Sequence, residues 1–175
     1  MCGVCPVAAL GLRGERGERL GRLCPGARSV FVFLFPYFAG ERPGNLSLYA
    51  RGRDYHAVIR DALAPAADAL RAKSPENHFV VLADDSPIPE VRAAALAGLG
   101  VRGEHGLLIH ETYGSYVFIG TIVTDRDFPA EAYPPSPCLR CGKCRAACPA
   151  QAIGTPGVDT GRCLSALTQR GGAVT

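Results

Sequence analysis

The chain has 175 residues, 47% of them hydrophobic, and its 19 lysines and arginines outnumber 16 aspartates and glutamates for a formal charge of +3. That is enough apolar material for one domain with a small appended module, which sets disorder aside, and too slight a basic excess to argue by itself for a nucleic-acid surface. The strongest apolar run, residues 30–35, falls far short of the roughly 20 residues a membrane span needs, and Met1-Cys2-Gly3-Val4-Cys5-Pro6 does not open a secretory signal. No membrane association is expected, and the expected compartment is the cytoplasm.

Residues 1–26 hold three cysteines in a glycine- and arginine-rich stretch and read as an arm, with a short solvated helix or loop over 13–22. β-Branched and aromatic residues over 29–35, 79–83 and 115–123 predict strands buried on at least one face, and 106–110 reads as another. Between them, Tyr55, Val58, Ile59, Ala62, Leu63, Ala66 and Leu70 recur at helical spacing, predicting a helix over 54–72 that Pro65 should kink or divide. A second helix is predicted over 88–99, ended by Gly100. The first strand is not followed by a glycine-rich turn and the elements alternate irregularly, so the class is α+β rather than a dinucleotide-binding α/β fold. Four prolines between Asp127 and Pro137 mark a linker. The predicted division is an arm over 1–26, an α+β core over 27–128 and a small module over 129–175.

The densest chemistry is Cys138-x2-Cys141-x2-Cys144-x3-Cys148-Pro149, the run by which bacterial ferredoxins hold cubane clusters, three thiolates on one cluster and the fourth on another. Zinc sites favour separated pairs of ligands, and cysteines this close bridge poorly into disulfides, so [4Fe-4S] chemistry is the better reading. Under the ferredoxin rule two clusters need eight thiolates, and the chain has eight, the others being Cys2, Cys5, Cys24 and Cys163. The corresponding assignment puts Cys138, Cys141, Cys144 and Cys24 on one cluster and Cys148, Cys163, Cys2 and Cys5 on the other. The bland alternative for Cys2, Cys5 and Cys24 is a set of ordinary buried or free thiols.

Further segments carry a resemblance: Ala27-Arg28-Ser29-Val30, Tyr49-Ala50-Arg51-Gly52-Arg53-Asp54-Tyr55-His56, Asp84 through Glu90, Ala97-Gly98-Leu99-Gly100, Gly106-Leu107-Leu108-Ile109-His110, Tyr113-Gly114-Ser115, Phe118-Ile119-Gly120, Thr124-Asp125 and Arg162-Cys163-Leu164-Ser165-Ala166-Leu167-Thr168. Together with the cysteine run, they resemble the epoxyqueuosine reductase family. The resemblance implies a nitroreductase-like, cobalamin-binding core followed by a small ferredoxin-like iron–sulfur module. It implies an oxidoreductase that reduces the epoxide of epoxyqueuosine in tRNA to an alkene, with two [4Fe-4S] clusters, cobalamin and an external electron donor such as ferredoxin or flavodoxin. The family's second cysteine run and its helical-repeat segment, to which tRNA binding is ascribed, have no counterpart in this sequence.

By the same resemblance Asp84 is the proton donor to the opening epoxide, a role suited to a carboxyl whose pKa burial would raise. Without it, Asp84 or Ser86 would read as a helix cap. The implied cofactor pocket takes Tyr55, His56, Gly98, Gly100, His110 and Tyr113. Two rival functions remain: reductive cleavage of another carbon–heteroatom bond in a small substrate, and a non-catalytic electron carrier or corrinoid-handling protein.

Overall fold

The computed structural model describes residues 1–40, 43–134, 136–154 and 157–170. Its centre is the strand β2 (Ser29–Pro36), whose sequence SVFVFLFP alternates two kinds of bulk, so that Val30, Val32 and Leu34 face one layer and Phe31, Phe33 and Phe35 the other. Along its whole length β2 pairs antiparallel with β6 (Val117–Thr124), from Ser29 opposite Thr124 to Pro36 opposite Val117. Strand β3 (Phe79–Ala83) lies on the far side of β6, and β1 (Cys2–Pro6) on the far side of β2. The order β1-β2-β6-β3 is antiparallel at every pairing.

One face of this sheet is covered by α3 (Tyr55–Lys73), whose Ile59, Leu63 and Ala67 are buried against Phe79, Ala83 and Ile122. Pro65 does not divide this helix; it sits on the exposed face, where water replaces the backbone hydrogen bond it cannot donate. On the other face, α1 (Val7–Leu10), α2 (Gly14–Leu23) and α4 (Glu90–Leu96) bury Leu10, Leu20 and residues 93–96 against Val30, Val32, Leu34 and Val123. Helix α4 is shorter than the predicted 88–99, because Gly98 already has the left-handed φ of 75° that stops a helix. The α+β class holds, with helices on both faces of an antiparallel sheet.

The segment read as an N-terminal arm differs most from expectation. Residues 2–6 form the edge strand, Val7 donates its N–H to the Arg28 carbonyl at 2.8 Å, and Cys5 and Cys24 have no exposed surface. The small pair β4 (Val101–Arg102) and β5 (Leu108–Ile109) follows α4, and β5 is all that forms of the strand predicted over 106–110.

Beyond β6 the chain changes character. Tyr133 returns to the core by donating its N–H to the Leu96 carbonyl at 2.9 Å, and Arg145 pairs with Glu104 at 2.6 Å. The segment then forms only the short helices α5 (Lys143–Ala147) and α6 (Leu164–Thr168) and a bridge between Ile153 and Val158. Of the described residues from 129 onward, Ala152 alone is buried. The last five residues of the predicted 129–175 module lie outside the described residues.

The close approach of α3 to the sheet rests on Gly120, where an added Cβ would run into the Ile59 side chain and stand 3.0 Å from Leu63. Gly120→Ala is therefore expected to cost about 1–3 kcal/mol by overpacking, read as a lowered denaturant midpoint with an unchanged slope.

Candidate active site

Where β3 runs out, the chain turns through Asp84 and Asp85 with φ of 53° and 35°, the left-handed region that aspartate tolerates better than most side chains. The turn aims the Asp84 carboxylate across the sheet edge at the first turn of α3. There the Tyr55 hydroxyl donates to Asp84 Oδ2 at 2.7 Å, and His56 Nε2 lies 3.1 Å from the same oxygen. Asp54 caps α3 by accepting the His56 N–H at 3.0 Å, and the same oxygen sits 2.7 Å from His56 Nδ1. The Tyr55 ring is stacked between His56 and Phe118, with centroids at 3.9 and 4.2 Å. From the opposite face of the sheet Arg19 on α2 holds the next residue, donating to Asp85 Oδ1 at 3.1 Å and to the Asp85 carbonyl.

The charges follow from this geometry. Both ring nitrogens of His56 meet a carboxylate, an arrangement only the imidazolium satisfies as a double donor, and its pKa is raised by Asp54 first and Asp84 second. Asp84 is pulled below the usual carboxylate range by the Tyr55 hydroxyl and by His56. This corrects the expectation from sequence: the Asp84 side chain is 58% exposed, and the upward push of its partial burial is outweighed by the hydrogen bonds from Tyr55 and His56. Neither Asp84 nor Ser86 caps α4, whose N-cap is Pro89; the Ser86 Oγ accepts the Ile88 N–H at 3.0 Å in the loop ahead of the helix.

Glu90, first residue of α4, is the carboxyl that burial does perturb. Desolvation, followed by the negative charge of Asp84, pushes its pKa up to about 7, and its buried Oε1 has no hydrogen-bond partner. Glu90 and Asp84 line one cavity of about 340 Å³ together with Tyr37, Tyr55, Leu108 and Ser165. A second cavity of about 320 Å³, under Tyr49 and Leu48, shares Tyr37, Tyr55 and Phe118 with it.

The other residues assigned to the cofactor pocket lie elsewhere. Gly98, Gly100 and His110 line a separate cleft of about 660 Å³, with the Tyr113 ring tilted against His110 at a centroid distance of 5.3 Å. Both glycines have reasons internal to the chain: a Cβ on Gly98 would meet the Tyr133 ring at 3.0 Å, and one on Gly100 the Ile109 carbonyl oxygen at 2.5 Å. His110 Nδ1 accepts the N–H groups of Thr112 and Tyr113 at 3.1 and 3.4 Å, so it shapes its own turn.

The cysteines divide into two populations. Cys2 and Cys5 are three residues apart on one strand, so their side chains leave opposite faces of the sheet and cannot share one cluster. Cys5 is buried under α4's layer with its thiol pushed up to about 11 by desolvation, and Cys24 is buried and raised for the same reason. The bland reading of buried core thiols fits Cys5 and Cys24, while Cys2 is exposed. Cys138, Cys141, Cys144, Cys148 and Cys163 are all half-buried or exposed, in the segment that lacks a core. Left-handed Arg140 and Gly142 bend the chain between the first three, and Ala152 donates its N–H to Cys148 Sγ at 3.3 Å. No three Cys, His, Asp or Glu side chains converge as a metal-holding group among the described residues.

Similarity to known proteins follows the same geography. The family model described as "Epoxyqueuosine reductase QueG, DUF1730" matches residues 18–85, from Arg19's helix to the Asp84 turn. The epoxyqueuosine reductase of Burkholderia pseudomallei is 41% identical over 140 residues, 74% of this chain and 34% of that protein, and that of Gloeobacter violaceus is 36% identical over 88% of this chain and 50% of its own length. Among solved structures, the epoxyqueuosine reductase of Streptococcus thermophilus superposes with a TM-score of 0.80 over 98% of this chain and 55% of its own, at 22% identity. A crystal structure of epoxyqueuosine reductase with an epoxyqueuosine-modified tRNA-Tyr stem loop gives 0.78 at 23% identity over 97% of this chain and 53% of its own. A reductive dehalogenase whose structure bears on B12-dependent dehalogenation gives 0.57 at 16% identity, over 90% of this chain and 21% of its own.

The fold is therefore the α+β fold that these reductases and the dehalogenase have in common. Within it, the chain is a homologue of the epoxyqueuosine reductases, and it spans about a third to a half of the length of the first curated relatives it matches. No helix among the described residues is long and apolar enough to cross a membrane.

Two members of the site were not legible in sequence. Glu90 appears there only as the end of the segment from Asp84 that carries the resemblance, with no role of its own, and its burial depends on the layer above it; Arg19 carries no signal at all in an arginine-rich stretch. Glu90 has a measurable consequence. A carboxyl raised from 4.5 to about 7 supports the fold below its unfolded pKa and ceases to as pH rises through about 7. Glu90→Gln removes that loss, so its stability relative to wild type should grow by about 2–3 kcal/mol between acidic and mildly alkaline pH, as measured by urea midpoints.

Proposed function

We propose that this chain carries the reductive centre of an epoxyqueuosine reductase, converting the epoxide of epoxyqueuosine in tRNA to an alkene. The observation that carries the reading is the cavity at the Asp84 turn. Asp84, fixed by Tyr55 and His56, forms one wall, and Ser165, two residues after Cys163, forms another, so electrons and protons have access to one space. The net change is epoxide plus two electrons plus two protons to alkene plus water.

The segment from 129 onward fits an iron–sulfur module. Among its described residues Ala152 alone is buried, so these form no hydrophobic core, and short scaffolds of that kind need a covalent or metal staple. Cys138, Cys141 and Cys144, with Cys148 or Cys163, would hold a [4Fe-4S] cluster, and the N–H directed at Cys148 Sγ is the type of contact that tunes such sulfurs. A second cluster on the ferredoxin plan would need ligands beyond these five. When bound, such clusters pass single electrons from a low-potential donor of the ferredoxin or flavodoxin class. The joined cavities under Tyr37, Tyr49, Tyr55 and Phe118 fit part of a large flat group such as cobalamin, which when bound supplies a strongly nucleophilic low-valent metal. The 660 Å³ cleft with Gly98, Gly100 and His110 lies on the other side of β5 and would take a peripheral part of it.

The chain's own residues then have definite tasks. Tyr55 and Asp54 hold His56 and Asp84 in register, and the imidazolium supplies the proton that Asp84, ionised at rest, relays to the alkoxide left by ring opening. Arg19 keeps the strained turn from relaxing away from α3. The expected substrate places the reaction in the cytoplasm, with tRNA as the macromolecular partner, as in the stem-loop complex of the relative. The dehalogenase neighbour has the fold in common and marks the rival reading, cleavage of a carbon–halogen or other carbon–heteroatom bond.

Anaerobic reconstitution with iron, sulfide and cobalamin, followed by turnover on an epoxyqueuosine-bearing stem loop, tests the proposal. Asp84→Asn, which keeps a side chain tolerant of left-handed φ, should lower turnover by about 10²–10⁴-fold and leave iron content unchanged. Cys141→Ala should lose iron, whereas Cys5→Ala and Cys24→Ala should keep it and show only reduced stability; iron lost equally from all three would return the N-terminal thiols to the cluster.

A further inference from the structure

We propose that Glu90 is the second proton donor of the reaction, delivering to the departing oxygen the proton that the His56–Asp84 pair does not supply. The proposal rests on the reductase reading above and extends it. Opening the epoxide breaks one carbon–oxygen bond and leaves an alkoxide, which takes one proton. Expelling that oxygen as water breaks the second carbon–oxygen bond and requires another proton, while two electrons from the ferredoxin- or flavodoxin-class donor complete the alkene.

The first proton has a source in the site and the second does not, unless it is Glu90. His56, held charged between Asp54 and Asp84, releases one proton through Asp84. Tyr55 is no acid here, since burial and the adjacent Asp84 carboxylate push its hydroxyl above the ordinary tyrosine value. Glu90 lines the same cavity as Asp84, and the Asp84 backbone N–H is bonded to its carboxyl, so the two acids are held on one turn. Its other oxygen, Oε1, is buried and has no partner. A carboxylate in that position would leave an uncompensated buried charge, which the neutral acid avoids, and the residue lines the cavity that the substrate would enter.

The charged and titratable neighbours are accounted for from each side. Asp84, His56 and the tyrosines Tyr37, Tyr49 and Tyr55 face Glu90 across the cavity. Behind it, Arg13, Arg16, Arg92 and Arg102 line an adjoining cleft of about 620 Å³, where Arg92 is turned away to donate to the Ala9 carbonyl at 3.1 Å. Of these, the Asp84 charge raises and the His56 charge lowers the Glu90 pKa, and desolvation is larger than either. The carboxyl therefore still holds its proton close to neutrality.

Two measurements on the full chain and its Glu90→Gln variant test this. The substitution would be an improper control only if it disturbed the turn, and the glutamine side chain retains an oxygen to accept the Asp84 N–H; unchanged iron and cobalt content confirms that the variant is folded. In infrared difference spectra of the protein labelled at glutamate, wild type should lose a protonated-carboxyl band as pH rises through about 7, and the variant should lack that band. In single-turnover assays of the reduced, cofactor-loaded protein on an epoxyqueuosine-bearing stem loop, the variant should be slower by about 100-fold or more. Its rate should also no longer fall as pH rises through 7. A band titrating near the ordinary glutamate value of about 4.3, or a variant as fast as wild type, overturns the donor role and leaves the reductase reading standing. A wild-type protein that carries the band and its cofactors but leaves the epoxide intact overturns the reductase reading, and the donor role with it.

Discussion

The parity of residues along β1, β2 and β6 governs this molecule. Because alternate side chains on a strand leave opposite faces, the run SVFVFLFP delivers its phenylalanines to α3 and its aliphatics to the helices on the other side. The same rule sends Cys5 into one core and Cys2 away from it. It also puts Gly120 under Ile59, which lets α3 lie close enough for its first turn to reach the end of β3. A register shift of one residue anywhere in this sheet would exchange both cores at once and remove Tyr55 from Asp84.

The site itself is a junction between layers. Asp84 belongs to the loop leaving the sheet, Tyr55 and His56 to the helix on one face, Arg19 and Glu90 to helices on the other. Two consecutive aspartates in left-handed conformation cost the fold something of order 1 kcal/mol each, and that cost is held in place by hydrogen bonds from both sides. The two carboxyls nearest each other acquire opposite characters: Asp84, exposed and bonded to donors, is the ion, and Glu90, desolvated beside it, is the acid.

Local pattern carried much of this into the sequence. The strand over 79–83, the phenylalanine-rich strand ending at Pro36, the helix from Tyr55 and the cysteine run were legible because each depends on periodicity or spacing within a few residues. Asp84 was legible only through its resemblance to a family pattern, and its protonation was misread because the partners that depress it come from 28 and 29 residues away. The N-terminal stretch was misread for a similar reason. Five residues with two cysteines and a proline have weak strand character, and it is the waiting edge of β2 that makes them a strand. Glycines 98 and 100 show a further limit, for a residue type that signals close approach does not say what approaches, and within the chain it is Tyr133 and the Ile109 carbonyl.

The contrast between a sheet packed on both faces and a tail whose described residues bury one alanine has a consequence for how the protein ages. On the cluster-bound reading, the order of residues beyond 129 depends on a redox-sensitive inorganic group, whereas the order of the core depends on buried hydrocarbon. Oxidative damage would then loosen the tail while the sheet stays intact, leaving a chain whose history is written as an exposed, cleavable end. A housekeeping protease could sort spent molecules from working ones without ever testing their activity.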